Sequence, residues 1–205
     1  MTFIRMAMFV ILSSVGLTAN AAYINFDDYS INKFANQGAD GSASTNAFGL
    51  ELGLDGNTWV FINDTFSIDA SSVLYFSFEA TGNEAEWYGI GFDNDNSVTA
   101  SSLFQFGGVD TTGANQLSAY SFGSGLVSYA VNVGDYLSGV FSQMVFVLDA
   151  DNVSGASASF VNVELCSTGD FCETTAQSNV SVDTPSTAIL LALSLCLICM
   201  GYRRI

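Results

Sequence analysis

"SSVLYFSFEA", residues 71–80, decides the fold. Leu74, Phe76 and Phe78 alternate with Val73, Tyr75, Ser77 and Glu79. That period of two is the pattern of a strand with one face turned to a core. Working outward, the signature recurs. In "VSYAVNVGDY" (127–136) Tyr129, Val131 and Val133 alternate with Ser128, Ala130 and Asn132, and in "SFVNVELC" (159–166) Val161, Val163 and Leu165 alternate with Asn162 and Glu164. "QMVFVLDAD" (143–151) is almost continuously apolar, which suits a strand covered on both sides.

Such runs return every 10–15 residues or so with no helical periodicity, and Gly, Ser, Asn and Asp separate them. The expected fold is all-β, a β-sandwich of jelly-roll type. Residues 35–58 read as a loop that becomes a strand around Phe48 to Leu54. The single proline, Pro185, falls where the body ends.

Both ends read as processing segments. Residues 1–21 have Arg5, an apolar run and the tripeptide "ANA", the layout of a secretory signal peptide cut after Ala21. The sandwich domain is expected over 22–166, followed by a polar Ser/Thr-rich linker over 167–184. Over 185–205 an apolar run from Ala188 to Tyr202 precedes Arg203 and Arg204. That length is at the short limit of a membrane-spanning helix, and the arginines place its end in the cytoplasm and the body outside.

Charge and composition exclude several functions. Lys33 is the only basic residue outside the terminal segments, against twenty acids, which gives a body charge near −19. Such a surface repels nucleic acid and anionic lipid and attracts cations. With no histidine, Ser-His-Asp triads and His-ligated zinc are ruled out. Cys166 and Cys172, in the exported part, are close enough in sequence to close a small disulfide loop, whereas Cys196 and Cys199 lie in the apolar tail.

Candidate sites cluster around "EWYGIGFDNDNS" (86–97). Glu84, Glu86, Asp93 and Asp95 are carboxylates of the kind a glycosidase pairs across a cleft. No Arg or suitable Lys accompanies them, and no catalytic residue is assigned. Calcium, which takes six to eight oxygen ligands, is the better match. "FDNDNS" and "LDADNVSG" each end an apolar strand with Asp-x-Asp-Asn, so Asp93, Asp95, Asp149 and Asp151 are expected to converge as metal ligands at one rim. The same residues would also serve as ordinary turn formers. Asp27 and Asp28 are further candidates, since the last strand of a sandwich often brings the first segment alongside. Among the aromatics, Trp59, Trp87, Tyr88, Tyr120 and Tyr136 have the flat area and polar handle that stack on sugar rings. Trp87 and Tyr88, with Glu86, are the expected ligand-binding residues.

Two resemblances add to this. The tail "VDTPSTAILLALSLCLICMGYRRI" resembles the PEP-CTERM sorting signal of Gram-negative bacteria, although Asp183-Thr184 stand where that signal has Pro-Glu. It implies export, membrane passage through the tail and an exosortase-type processing partner, often alongside extracellular polysaccharide. The body from about Thr58 to Leu165, on "SVLYFSFEA", "LFQFGG", "YAVNVGDYLSG" and "VFVLDADN", is similar to jelly-roll carbohydrate-binding modules. That likeness implies polysaccharide binding, frequent calcium and no catalysis. The expectation is thus a non-enzymatic, envelope-associated, calcium-dependent polysaccharide binder, with a structural matrix protein or a carboxylate glycosidase as alternatives.

Overall fold

The computed structural model describes residues 23–37, 41–117 and 120–167. The expected leader, the tail with its membrane span, and nearly all of the linker lie outside these residues. Among the described residues no helix is long and apolar enough to cross a membrane.

Among the described residues, eleven strands form two sheets. One holds β1 (Asn32–Lys33), β4 (Thr58–Ile68), β10 (Gly139–Asp149), β6 (Trp87–Asp93), β7 (Leu103–Gly107) and β8 (Asn115–Gln116), in that order. The other runs β2 (Ser42–Thr45), β3 (Glu51–Asp55), β11 (Ala156–Cys166), β5 (Val73–Gly82) and β9 (Val127–Val131). All pairings are antiparallel except β7 with β8. Strands consecutive in the chain lie on opposite sheets at β1–β2, β3–β4, β4–β5, β5–β6, β8–β9, β9–β10 and β10–β11, the habit of a jelly-roll sandwich. The fold is the β-sandwich that the alternation predicts.

The core fills the gap between the sheets. Leu74, Phe76 and Phe78 of β5 are all buried there, as the period-two pattern requires. Phe78 touches Phe106 at 4.7 Å, Tyr120 at 4.9 Å and Phe160 at 5.1 Å between ring centroids, all edge to face. Phe146 of β10 bridges Phe160 and Phe26 at 5.2 and 5.4 Å. Phe26 belongs to a single 3-10 turn, Phe26–Asp28, at the start of the described chain. There the Ile24 N–H donates to the Val163 carbonyl at 2.7 Å, so the first segment does lie along the last strand.

β11 departs from the expected alternation. Asn162 has φ of 53° and interrupts the pairing with β5 between Val161 and Glu164. This β-bulge shifts the faces. Phe160 points into the core, Val161 lies outside, and Val163 returns to the core. Cys166 at its end is disulfide-bonded. Cys172, the expected partner, lies outside the described residues. In residues 35–58 the stretch expected as a loop already holds β2, the strand expected around Phe48 begins at Glu51, and Phe48 stands 79 % exposed in the preceding turn.

The middle of the six-stranded sheet is buried on both faces. β6 is covered throughout, as is β10 from Gln143 to Leu148, in keeping with its continuous apolar run. On the side away from the main core, Phe34, Trp59, Phe61, Trp87, Leu103, Ala114, Val145 and Val147 form a second apolar cluster. Trp59 and Trp87 meet edge to face at 4.7 Å, and Phe34 lies parallel to Trp59 at 6.5 Å. Gly89 and Gly91 explain the Gly-Ile-Gly motif. A methyl at Gly89 would come within 2.5 Å of Trp87 Nε1, and one at Gly91 within 2.4 Å of the Ser102 carbonyl oxygen. Only glycine leaves room for the covering layer at these two positions.

Candidate functional site

The five-stranded sheet leaves its outer face open. Its register lines up Ser42, Asp55, Ser157 and Thr81 in one row, and Ser44, Gly53, Ser159 and Glu79 in the next. A third row carries Glu51, Val161, Ser77 and Ser128. The first two rows apart from Ser42, together with Glu51, line a shallow depression of about 330 Å³ that no basic side chain among the described residues borders. Ser157 Oγ donates to Asp55 Oδ1 at 2.7 Å, and the Ser77 and Ser128 hydroxyls lie 2.8 Å apart. Gly53 sits mid-row, and a methyl there would meet only Ser44, at 3.3 Å. Tyr75, two residues before Ser77 on β5, puts a half-buried aromatic ring on this same face. The alternation in residues 71–80 had already set Tyr75, Ser77 and Glu79 opposite the core. Strand spacing makes this face a lattice of hydroxyls and carboxylates repeating about every 4.8 Å across the sheet and about 6.8 Å along it.

The expected sugar-stacking residues are elsewhere and enclosed. Trp87 is 5 % exposed in the covering cluster, and Tyr88 points into the main core, where Ala85 N–H donates to its hydroxyl at 2.8 Å. Trp59 and Tyr120 are buried as well, and of the five aromatics only Tyr136 is exposed. Trp87 and Tyr88 therefore offer no ring face to a ligand. Glu84 is exposed and Glu86 buried in the turn between β5 and β6, so the two do not line one cleft wall.

The four expected metal ligands do not meet at one rim. β6 and β10 run antiparallel, with Asp93 opposite Gln143 and Asp149 opposite Trp87. Six residues of strand, about 20 Å, separate the two clusters. Asp93 and Asp95 organise a turn instead. Asp93 Oδ1 accepts from the N–H groups of Asn94 and Asp95 at 2.7 and 3.3 Å, and its Oδ2 accepts from Thr99 N–H at 3.3 Å. Asp95 accepts from Ser97 N–H at 2.8 Å. Asn96 then accepts from Ala35 N–H at 2.6 Å, and Asn94 from Ser142 N–H at 2.9 Å. The whole Asp-Asn-Asp-Asn run pins down part of the layer over the six-stranded sheet. Asp27, near the first turn, is taken by the Thr45 hydroxyl at 2.6 Å.

At the other end of β6, Glu86, Asp149 and Asp151 gather with Asp110. Glu86 N–H donates to the Asp149 carbonyl at 2.9 Å, and Glu86 Oε1 accepts from Asn152 N–H at 3.1 Å. Asn57 donates to Asp151 Oδ1. Burial pushes the Asp149 carboxyl up to about 6, and the negative charges of Asp151, Glu86 and Asp110 push the same way. The Trp59 indole faces Asp149 and eases its charge, without reaching hydrogen-bond geometry. Among the described residues, no three acidic or cysteine side chains converge as a ready-made metal cage.

No protein-family model matches the chain, and no curated protein matches it. Solved structures do. A carbohydrate-binding module of family 29 aligns at 17 % identity over 75 % of this chain and 88 % of its own, with a TM-score of 0.42. A low-affinity xylan-binding module, CBM86, from Roseburia intestinalis aligns at 15 % identity over 70 % and 92 %, with a TM-score of 0.41. The second N-terminal cellulose-binding domain of β-1,4-glucanase C from Cellulomonas fimi aligns at 14 % over 74 % and 97 %, with a TM-score of 0.35.

Proposed function

We propose that the protein is a non-catalytic polysaccharide-binding module, exported and held at the cell envelope by its C-terminal tail, with the open face of the five-stranded sheet as its binding surface. The observation that carries this is the pairing of rows on that face. A periodic array of hydroxyls and carboxylates offers a repeating polymer the same hydrogen bonds at several successive units. Sugar hydroxyls donate to Glu51, Asp55 and Glu79 and accept from the serines, while Tyr75 supplies a flat apolar edge. Each contact is weak because water competes for the same groups, so affinity comes from several contacts along one chain. The absence of basic side chains in the depression favours neutral glycans over polyanions.

The test is migration of the full-length chain, in mild detergent, through native gels containing soluble neutral polysaccharides. Saturable retardation is expected. Ser159→Trp, which fills the middle of the depression, should weaken it on the order of tenfold while leaving the unfolding temperature close to the parent's. Retardation that S159W leaves untouched would move the site off this face. With no retardation by any polymer, the structural matrix role would take over.

A further inference from the structure

Glu86 is a buried acid in a protein with almost no basic residues to pair it. It is 8 % exposed, its Oε1 is occupied by Asn152 N–H, and its Oε2 is enclosed with no hydrogen-bond partner among the described residues. Asp149 Oδ1 is in the same condition. The two residues are tied together by the hydrogen bond from Glu86 N–H to the Asp149 carbonyl. Asp151 and Asp110 add negative charge from the turn after β10 and the loop after β7. Unpartnered carboxylate oxygens crowded in this way are costly unless something positive shares them.

We propose that Glu86 Oε2 and Asp149 Oδ1 hold a divalent cation of the calcium type at this end of the six-stranded sheet. Calcium accepts six to eight oxygens and tolerates irregular geometry. Two protein carboxylates leave the rest of the shell to water and to Asp151, if it turns from Asn57, so binding has to open the enclosure around these oxygens. An open cavity of about 480 Å³ is lined by Asn57, Ala150, Asp151 and Asn152, the last three following Asp149 in the chain. So small a protein ligand set suits the weak end of the calcium range, around 10⁻⁴ to 10⁻³ M, as in extracellular modules. The assignment differs from the expectation drawn from the sequence. Glu86 becomes a metal ligand, and Asp93 and Asp95, about 20 Å away, drop out. It also stands independently of polysaccharide binding on the opposite sheet.

The site carries its own reporter. The chain has only two tryptophans, Trp59 and Trp87, and both lie in the cluster beside Asp149. Terbium, a luminescent stand-in for calcium, should therefore show emission sensitised by indole excitation when added to the full-length protein, and calcium should displace it. Glu86→Gln and Asp149→Asn preserve shape and remove charge, so each should fold at least as well as the parent. Each should weaken terbium binding by on the order of tenfold to a hundredfold. Asp93→Asn should leave the signal unchanged. No sensitised emission in the parent, or emission that survives unchanged in both E86Q and D149N, would overturn the proposal. Emission lost in D93N but kept in E86Q would overturn it too, by placing the ion at the other end of the strand. Should one variant not fold, the other decides.

Discussion

On the side away from the core, the six-stranded sheet presents Trp59, Phe61, Trp87, Val145 and Val147, all buried beneath loops. The matching side of the five-stranded sheet presents serine, threonine and carboxylates to solvent. Both sheets bury the same aromatic core, so the difference has nothing to do with holding the sandwich together. An apolar outer face is stable only if something covers it, and here the loops after β1, β6 and β7 do so. The Asp93–Asn96 run and Gln105, which accepts from Thr112 N–H at 3.1 Å and donates to the Asp110 carbonyl at 2.6 Å, fasten that cover. The covered face is a second, smaller core. The open face carries no such load, which leaves it free for the binding role proposed above.

Substitutions that treat the two faces alike should therefore have unlike effects. The largest is expected from Trp59→Ala. It removes a buried ring packed on Trp87 and Phe34, and about 3–5 kcal/mol of stability should go with it in denaturant unfolding. Ser159→Ala, at the centre of the open face, should stay within about 0.5 kcal/mol of the parent. If the two changes cost the same, the second core does not exist as a stabilising unit. A glycine pair sharpens the contrast. Gly91→Ala drives a methyl to 2.4 Å from a backbone carbonyl and should cost about 1–3 kcal/mol, whereas Gly53→Ala meets only Ser44, its hydroxyl at 3.3 Å and its carbonyl at 3.6 Å. Gly53→Ala should be neutral or slightly stabilising, because alanine restricts the unfolded chain more than glycine does. Equal losses at both positions would show that the open face is as tightly packed as the covered one.

The same contrast explains what could be read from the sequence. Period-two alternation says which residues share a face, and it placed Leu74, Phe76 and Phe78 in the core and Tyr75, Ser77 and Glu79 outside. The continuous run of β10 likewise announced cover on both sides. What covers a face is decided by loops far away in sequence, so an apolar Trp87 beside acids looks the same whether it is sealed in or displayed. The expected convergence of the four aspartates failed on direction. "FDNDNS" and "LDADNVSG" both close strands, but neighbouring strands that run antiparallel end at opposite edges. Asn162 was not legible either, since a left-handed asparagine leaves no mark in a run of alternating residues.

The smallest expected effect lies at the edge of the open sheet. Tyr129 of β9 faces inward, 5.0 Å from Phe76, with its hydroxyl enclosed and unpartnered among the described residues. Burial, and next the neighbouring Tyr120, raise its pKa from 10.0 to about 12. The folded state therefore keeps a proton that the unfolded chain gives up earlier. The stability this contributes is whole below pH 10 and is lost as pH rises toward 12. Tyr129→Phe keeps the ring, discards the unsatisfied hydroxyl and removes this titration. At neutral pH the variant should match or slightly exceed the parent, since an unpaired buried hydroxyl is unfavourable. Between pH 10 and 12 its unfolding temperature should fall less steeply than the parent's, other tyrosines supplying what slope remains. Identical alkaline profiles would mean that water reaches the hydroxyl, and that β9 opens at the edge of the sheet on which the proposed binding face is built.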